Sequence, residues 1–156
     1  GIKMPWSKLI ALYFFSVIFV SHSFASEGNL MTSEVVIKGI DHERGGDLVF
    51  MVFEKDGFPK DHSKAIYKKS ISPNSTEFKL NIDLPNGEFA LKVHHDENAD
   101  GKVSKNWTKI LPGEGLAFSN GARVRFGPPS FKSARLLGEE SQEVELKMIY
   151  PRRKKK

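Results

Sequence analysis

The sequence predicts an all-β fold, a single antiparallel two-sheet β-sandwich behind an N-terminal leader. Apolar and polar residues alternate with a period of two in several segments, as they do in strands with one face in a core. Turn-forming runs, Gly45-Gly46, Asp56-Gly57, Pro73-Asn74 and Pro85-Asn86-Gly87, punctuate those segments at short intervals. Outside the leader no segment of comparable length carries a clean helical period. Each sheet then needs a second sheet to bury its apolar face.

In chain order, residues 1–25 read as a removable export signal. Lys3 and Lys8 are the only charges, residues 9–20 are apolar apart from Ser16, and Ser23-Phe24-Ala25 has the small-x-small form of a cleavage site. The apolar run would make a helix of about 18 Å, short of the roughly 30 Å of hydrocarbon that a spanning helix crosses. The expectation is therefore cleavage after Ala25, no remaining transmembrane anchor, and a periplasmic or extracellular location. Met4 fits an initiator. Residues 26–33 read as a flexible mature N-terminus, 34–150 as one domain, and 151–156 as a disordered basic tail. Without cysteine, stability has to come from packing, hydrogen bonds or a bound ion.

Three segments alternate cleanly. Phe78, Leu80, Ile82 and Leu84 alternate with Lys79, Asn81 and Asp83. Phe89, Leu91, Val93 and His95 alternate with Glu88, Ala90, Lys92 and His94. Val144, Leu146, Met148 and Tyr150 alternate with Glu143, Glu145 and Lys147. Residues 48–53 are apolar on both faces, the pattern of a central strand covered on two sides. Residues 35–40 and 65–72 complete the set of expected strands. The stretch 96–140 holds six of the 13 glycines and three of the eight prolines, and a connection of that length is expected to fold against the body.

The run Leu84-Pro85-Asn86-Gly87-Glu88-Phe89-Ala90-Leu91-Lys92-Val93 resembles a turn and strand of immunoglobulin-like and transthyretin-like sandwiches. Three further motifs follow it: His95-Asp96-Glu97-Asn98-Ala99-Asp100-Gly101-Lys102, Glu114-Gly115-Leu116-Ala117-Phe118-Ser119-Asn120-Gly121-Ala122, and Arg125-Phe126-Gly127-Pro128-Pro129-Ser130-Phe131. With Asp56-Gly57-Phe58-Pro59 upstream, their order is similar to that of the bacterial family DUF2141. The resemblance implies an exported β-sandwich of unknown function and transfers no catalytic residue.

The chemically richest motif is Asp96-x-Asn98-x-Asp100-Gly101. Oxygen-bearing side chains at alternate positions converge on a hard cation, with glycine at the sharp turn. A calcium ion there would be held by Asp96, Asn98 and Asp100, by the main-chain carbonyl of Lys102, and by Ser104. The twelfth position is Trp107 where a calcium loop of this type carries a bidentate glutamate, so Asp61, Glu97 or Glu114 would have to complete the shell. The competing reading is an Asx-rich turn whose side chains cap their own backbone.

Charge supplies a second candidate. The chain has 24 Lys and Arg against 19 Asp and Glu, but five of the cations sit in 152–156 and two in the leader, so the body is nearly balanced. Within it, residues 102–135 carry seven cations and one acid, Glu114. Arg123, Arg125, Lys132 and Arg135 are the candidate contacts for an envelope polyanion. A solvated cationic face is the alternative. Export and the lack of a recognition module argue against specific nucleic-acid binding. The expected function is a non-catalytic binding or structural module, with an unidentified protein or an envelope polyanion as partner. The alternative is an extracytoplasmic hydrolase built on His95 and Asp96. Adjacent strand residues face opposite ways, so His94 and His95 do not share a site, and His95 reads as a hydrogen-bonded residue at the edge of the core.

For the calcium reading, isothermal titration is expected to show binding heat that disappears in Asp96→Ala plus Asp100→Ala. A parent chain giving no heat removes it.

Overall fold

The computed structural model describes residue 1 and residues 31–98, 114–139 and 141–151. The apolar leader and the 152–156 tail therefore lie outside the described residues. Among the described residues, no helix is long and apolar enough to cross a membrane. The strands are β1 (Met31–Lys38), β2 (Asp47–Phe53), β3 (Tyr67–Ile71), β4 (Glu77–Leu84), β5 (Glu88–Asp96), β6 (Leu116–Phe118), β7 (Leu136–Leu137) and β8 (Glu143–Lys147). One four-residue helix, α1 (Phe131–Ala134), and short 3-10 turns join them.

The strands form two sheets. The first has the order β4-β1-β8, and the second β3-β2-β5-β6, with β7 also paired to β5. The fold is thus predominantly β, as the alternation predicts. The all-antiparallel expectation needs one correction, because β1 and β8 run parallel, Val35 opposite Val144 and Ile37 opposite Leu146. A parallel pair requires a long crossover, and here the chain supplies it by building the second sheet before returning. β1 also starts three residues before the expected boundary at 34, since its ladder with β4 runs through Met31 opposite Leu84.

One core joins the two sheets. Val35 and Ile37 of β1, Leu80, Ile82 and Leu84 of β4, and Val144 and Leu146 of β8 meet Leu48, Phe50 and Val52 of β2 and Phe89, Leu91 and Val93 of β5. These are the apolar positions of the alternating segments. A fully buried side chain of this size contributes about 1.5–3 kcal/mol.

Over the inner strands β2 and β5, the other face of the second sheet is buried as well, while β3 at the edge is exposed. On β2, Met51 and Phe53 are fully enclosed, as expected for 48–53. On β5, every residue from Phe89 to Asp96 is buried, including Lys92 and His94, whose alternation suggests an outward polar face. The cover comes from the connections. Phe58, in the segment after β2, packs edge-on against Phe53, Phe118 and Phe131, so aromatic rings from three parts of the chain cap the sheet.

Ser119 ties one of these connections down. β6 ends at Phe118, and the Ser119 hydroxyl takes over where the ladder stops: it accepts from the Leu91 backbone N–H at 2.8 Å and donates to the Ala134 carbonyl at 2.5 Å. Both partners are buried, so removing the hydroxyl orphans a donor and an acceptor. Ser119→Ala is expected to lower stability by about 1–3 kcal/mol in chemical denaturation. An unchanged midpoint would show that the bridge contributes nothing net.

Candidate functional site

Three polar constellations emerge from this architecture, and they differ in what they leave accessible. The first lies under the cover of the second sheet. Lys92 is wholly buried, and its Nζ donates to the Pro59 carbonyl at 2.8 Å and to His62 Nε2 at 2.6 Å. While Lys92 is an ammonium it only donates, and in that state His62 Nε2 accepts and Nδ1 carries the proton. His94, next but one along β5, places Nε2 at 2.5 Å from Glu114 Oε2, and the two imidazole rings lie 6.4 Å apart. Nδ1 of His62 and Nδ1 of His94 are buried without a hydrogen-bond partner among the described residues.

Burial dominates the electrostatics of this cluster. It pushes the Lys92 ammonium down to about 7. His62 is pushed down to about 3, first by burial and then by the neighbouring charges of Lys92 and His94. Lys92, His62, His94 and Glu114 are all nearly inaccessible to solvent, and their bonds hold the covering segments on the sheet. The sequence reading missed it, taking Lys92 and His94 for the polar side of a half-buried strand and Glu114 for a calcium option. The available signal was the two-sided apolar pattern of 48–53: if β2 is covered on both faces, its neighbour β5 is too.

The second constellation surrounds the end of β5. His95 is fully buried, with Nε2 donating to the Gly45 carbonyl at 2.7 Å and Nδ1 at 2.7 Å from the Tyr150 hydroxyl. That hydroxyl also accepts from the Asp41 backbone N–H at 3.1 Å. The Arg44 guanidinium lies 4.5 Å over the Tyr150 ring and pairs with Asp41 and Glu97. Two glycines make the close approach possible. A Cβ on Gly46 would sit 2.0 Å from the Asp96 carbonyl oxygen, and one on Gly115 would sit 2.3 Å from the Tyr150 ring. His95 thus occupies the hydrogen-bonded position its alternation suggests, with both ring nitrogens engaged.

The proposed calcium ligands start here. Asp96 is buried at the strand end and Asn98 is exposed, while Asp100, Lys102 and Ser104 lie outside the described residues. The acids considered for completing the shell have partners: Glu97 accepts from Arg44, Glu114 is bonded to His94, and Asp61 accepts from the backbone N–H and hydroxyl of Ser63. Among the described residues, no group of three or more His, Cys, Asp or Glu is placed to hold a metal ion.

The third constellation is open. Residues between 120 and 133 line a cleft of about 500 Å³, among them Asn120, Arg123, Arg125, Phe126 and Ser133. From Gly115 to Gly138 the sequence has four cations and no acid. Arg135 pairs with Glu88 at 2.8 Å, whereas Arg123, Arg125 and Lys132 are exposed and meet no carboxylate among the described residues. Of the four basic residues singled out from the sequence, two line the cleft, Lys132 lies beside it, and Arg135 is held in an ion pair.

A sequence model of the family described as "Uncharacterized protein conserved in bacteria (DUF2141)" matches residues 35–145. No curated protein matches the chain, and no solved structure does.

The buried cluster gives a pH signature. Lys92 and His62 each have a lower proton affinity folded than unfolded, so the unfolded chain takes up the extra proton and stability falls on acidification. For Lys92 the loss occurs as pH drops from its ordinary 10.5 to about 7, and for His62 from 6.5 to about 3. The urea midpoint is expected to rise as pH is raised above about 7, and Lys92→Met is expected to flatten that rise. A parent profile as flat as that of the variant would contradict the buried placement of Lys92.

Proposed function

The chain belongs to the DUF2141 family, and on that premise we propose that its domain is a non-catalytic binding module that captures an anionic ligand in the cleft of residues 120–133. The single observation carrying this reading is the contrast among the described arginines. Arg44 and Arg135 each lie within 4 Å of a carboxylate, while the two arginines in the cleft meet none among the described residues. An acid-free stretch around a concave surface concentrates positive potential, and that favours anion capture.

In the same reading, the two sheets form an immunoglobulin-like or transthyretin-like sandwich, and the apolar leader directs export to the periplasm or the cell exterior. The anionic partner is then a component of the envelope. Calcium at 96–107 enters this account only as a stabiliser of that loop. The closed clusters around Lys92 and His95 serve to position the connection that carries the cleft.

The test is retention on a heparin-type column under a rising salt gradient. Arg123→Ala plus Arg125→Ala is expected to elute at lower salt, with a loss of about 1 kcal/mol per cation removed. Elution unchanged from the parent would assign retention to other cations, such as those of the tail, and remove the cleft from the proposal.

A further inference from the structure

We propose, resting on that anion-binding reading, that the cleft docks on an anionic phospholipid bilayer, with Arg123 and Arg125 on lipid phosphates and Phe126 in the boundary between headgroups and acyl chains. Phe126 has 110% of its reference surface exposed, so its ring packs against nothing in the domain. Among the described residues, the other phenylalanines are buried or partly buried. Val124, two positions away, is 42% exposed. A lone exposed apolar side chain is ordinary. What singles out this one is its setting, an apolar tip between cations on a segment without an acid.

Hydrogen bonds tie down the mount of this tip. Ser119 is bonded to the Ala134 carbonyl, and Asn120 Nδ2 donates to the Ser133 carbonyl at 3.1 Å, closing the base of the loop. The Arg125 backbone N–H bonds to the Gly127 carbonyl at 3.2 Å, and Pro128 and Pro129 limit the backbone beyond it. The ring is thus held out from the body in advance of any contact. A soluble polyanion would satisfy the arginines and leave Phe126 in water. An anionic bilayer satisfies both, since aromatic side chains suit the interface and cations suit the surface charge. One apolar insertion alone gives only marginal attachment, so the arginines and the ring are expected to act together.

The chain has no cysteine, so Phe126→Cys accepts a single environment-sensitive fluorophore on the full-length protein, with Lys69→Cys on β3 as the reference position. The leader and the basic tail can bring either protein to a vesicle, but only insertion of the loop changes the surroundings of position 126. With vesicles of phosphatidylglycerol and phosphatidylcholine in equal parts, at physiological ionic strength, emission at 126 is expected to rise several-fold and shift to the blue. The rise is absent with phosphatidylcholine alone, absent at position 69, and lost when Arg123→Ala and Arg125→Ala are added. Emission at 126 that tracks position 69 on anionic vesicles overturns the bilayer proposal. If heparin retention still depends on the two arginines in that case, the anion-binding reading stands with a soluble polyanion as ligand. If it does not, both fall.

Discussion

Strand β5 is enclosed on both faces, and from that constraint much of the rest of the structure follows. Its sequence mixes core residues with Lys92, His94, His95 and Asp96. A polar group taken out of water costs several kcal/mol unless it finds a partner. The partners come from far along the chain: Pro59 and His62 for Lys92, Glu114 for His94, Gly45 and Tyr150 for His95, and Ser119 for the backbone N–H of Leu91. Each bond fixes a different connection. Two-sided burial of one strand thereby specifies where the loops lie, and an apolar β5 would lack that specification.

The motifs on which the family resemblance rests acquire physical content in this light. Asp56-Gly57-Phe58-Pro59 brings a ring and a carbonyl over the sheet, and Glu114-Gly115 supplies a carboxylate for His94 and the space for Tyr150. Ser119-Asn120 closes the base of the loop on Ser133 and Ala134. These residues are engaged inside the domain and serve its architecture. Arg123, Arg125 and Phe126 project from that architecture, and so the binding reading rests on them.

Much of the fold was legible in the sequence because period-two alternation is a local consequence of the pleat. It located β4 and β5 closely and gave His95 its place in the core. It failed where the answer depends on distant segments. Alternation shows that Lys92 and His94 oppose the apolar face, but not that Phe58, Phe118 and Phe131 cover them. β6 and β7 are too short to show a period, and the direction of β8 beside β1 is a property of topology that no residue pattern states. The cleft was half legible. Charge composition marked Arg123 and Arg125, whereas the pairing of Arg135 with Glu88 and the isolation of the Phe126 ring required coordinates.

The parallel seam between β1 and β8 also bears on when the domain can assemble. β1 is the middle strand of its sheet, with β4 on one edge and β8 on the other. Glu34 is matched to Glu143 and Lys38 to Lys147, so the second edge waits for almost the entire domain sequence to become available. Contacts this remote in sequence are entropically slow to form. A nascent chain therefore retains an open strand edge and an incompletely roofed core until its final strand emerges.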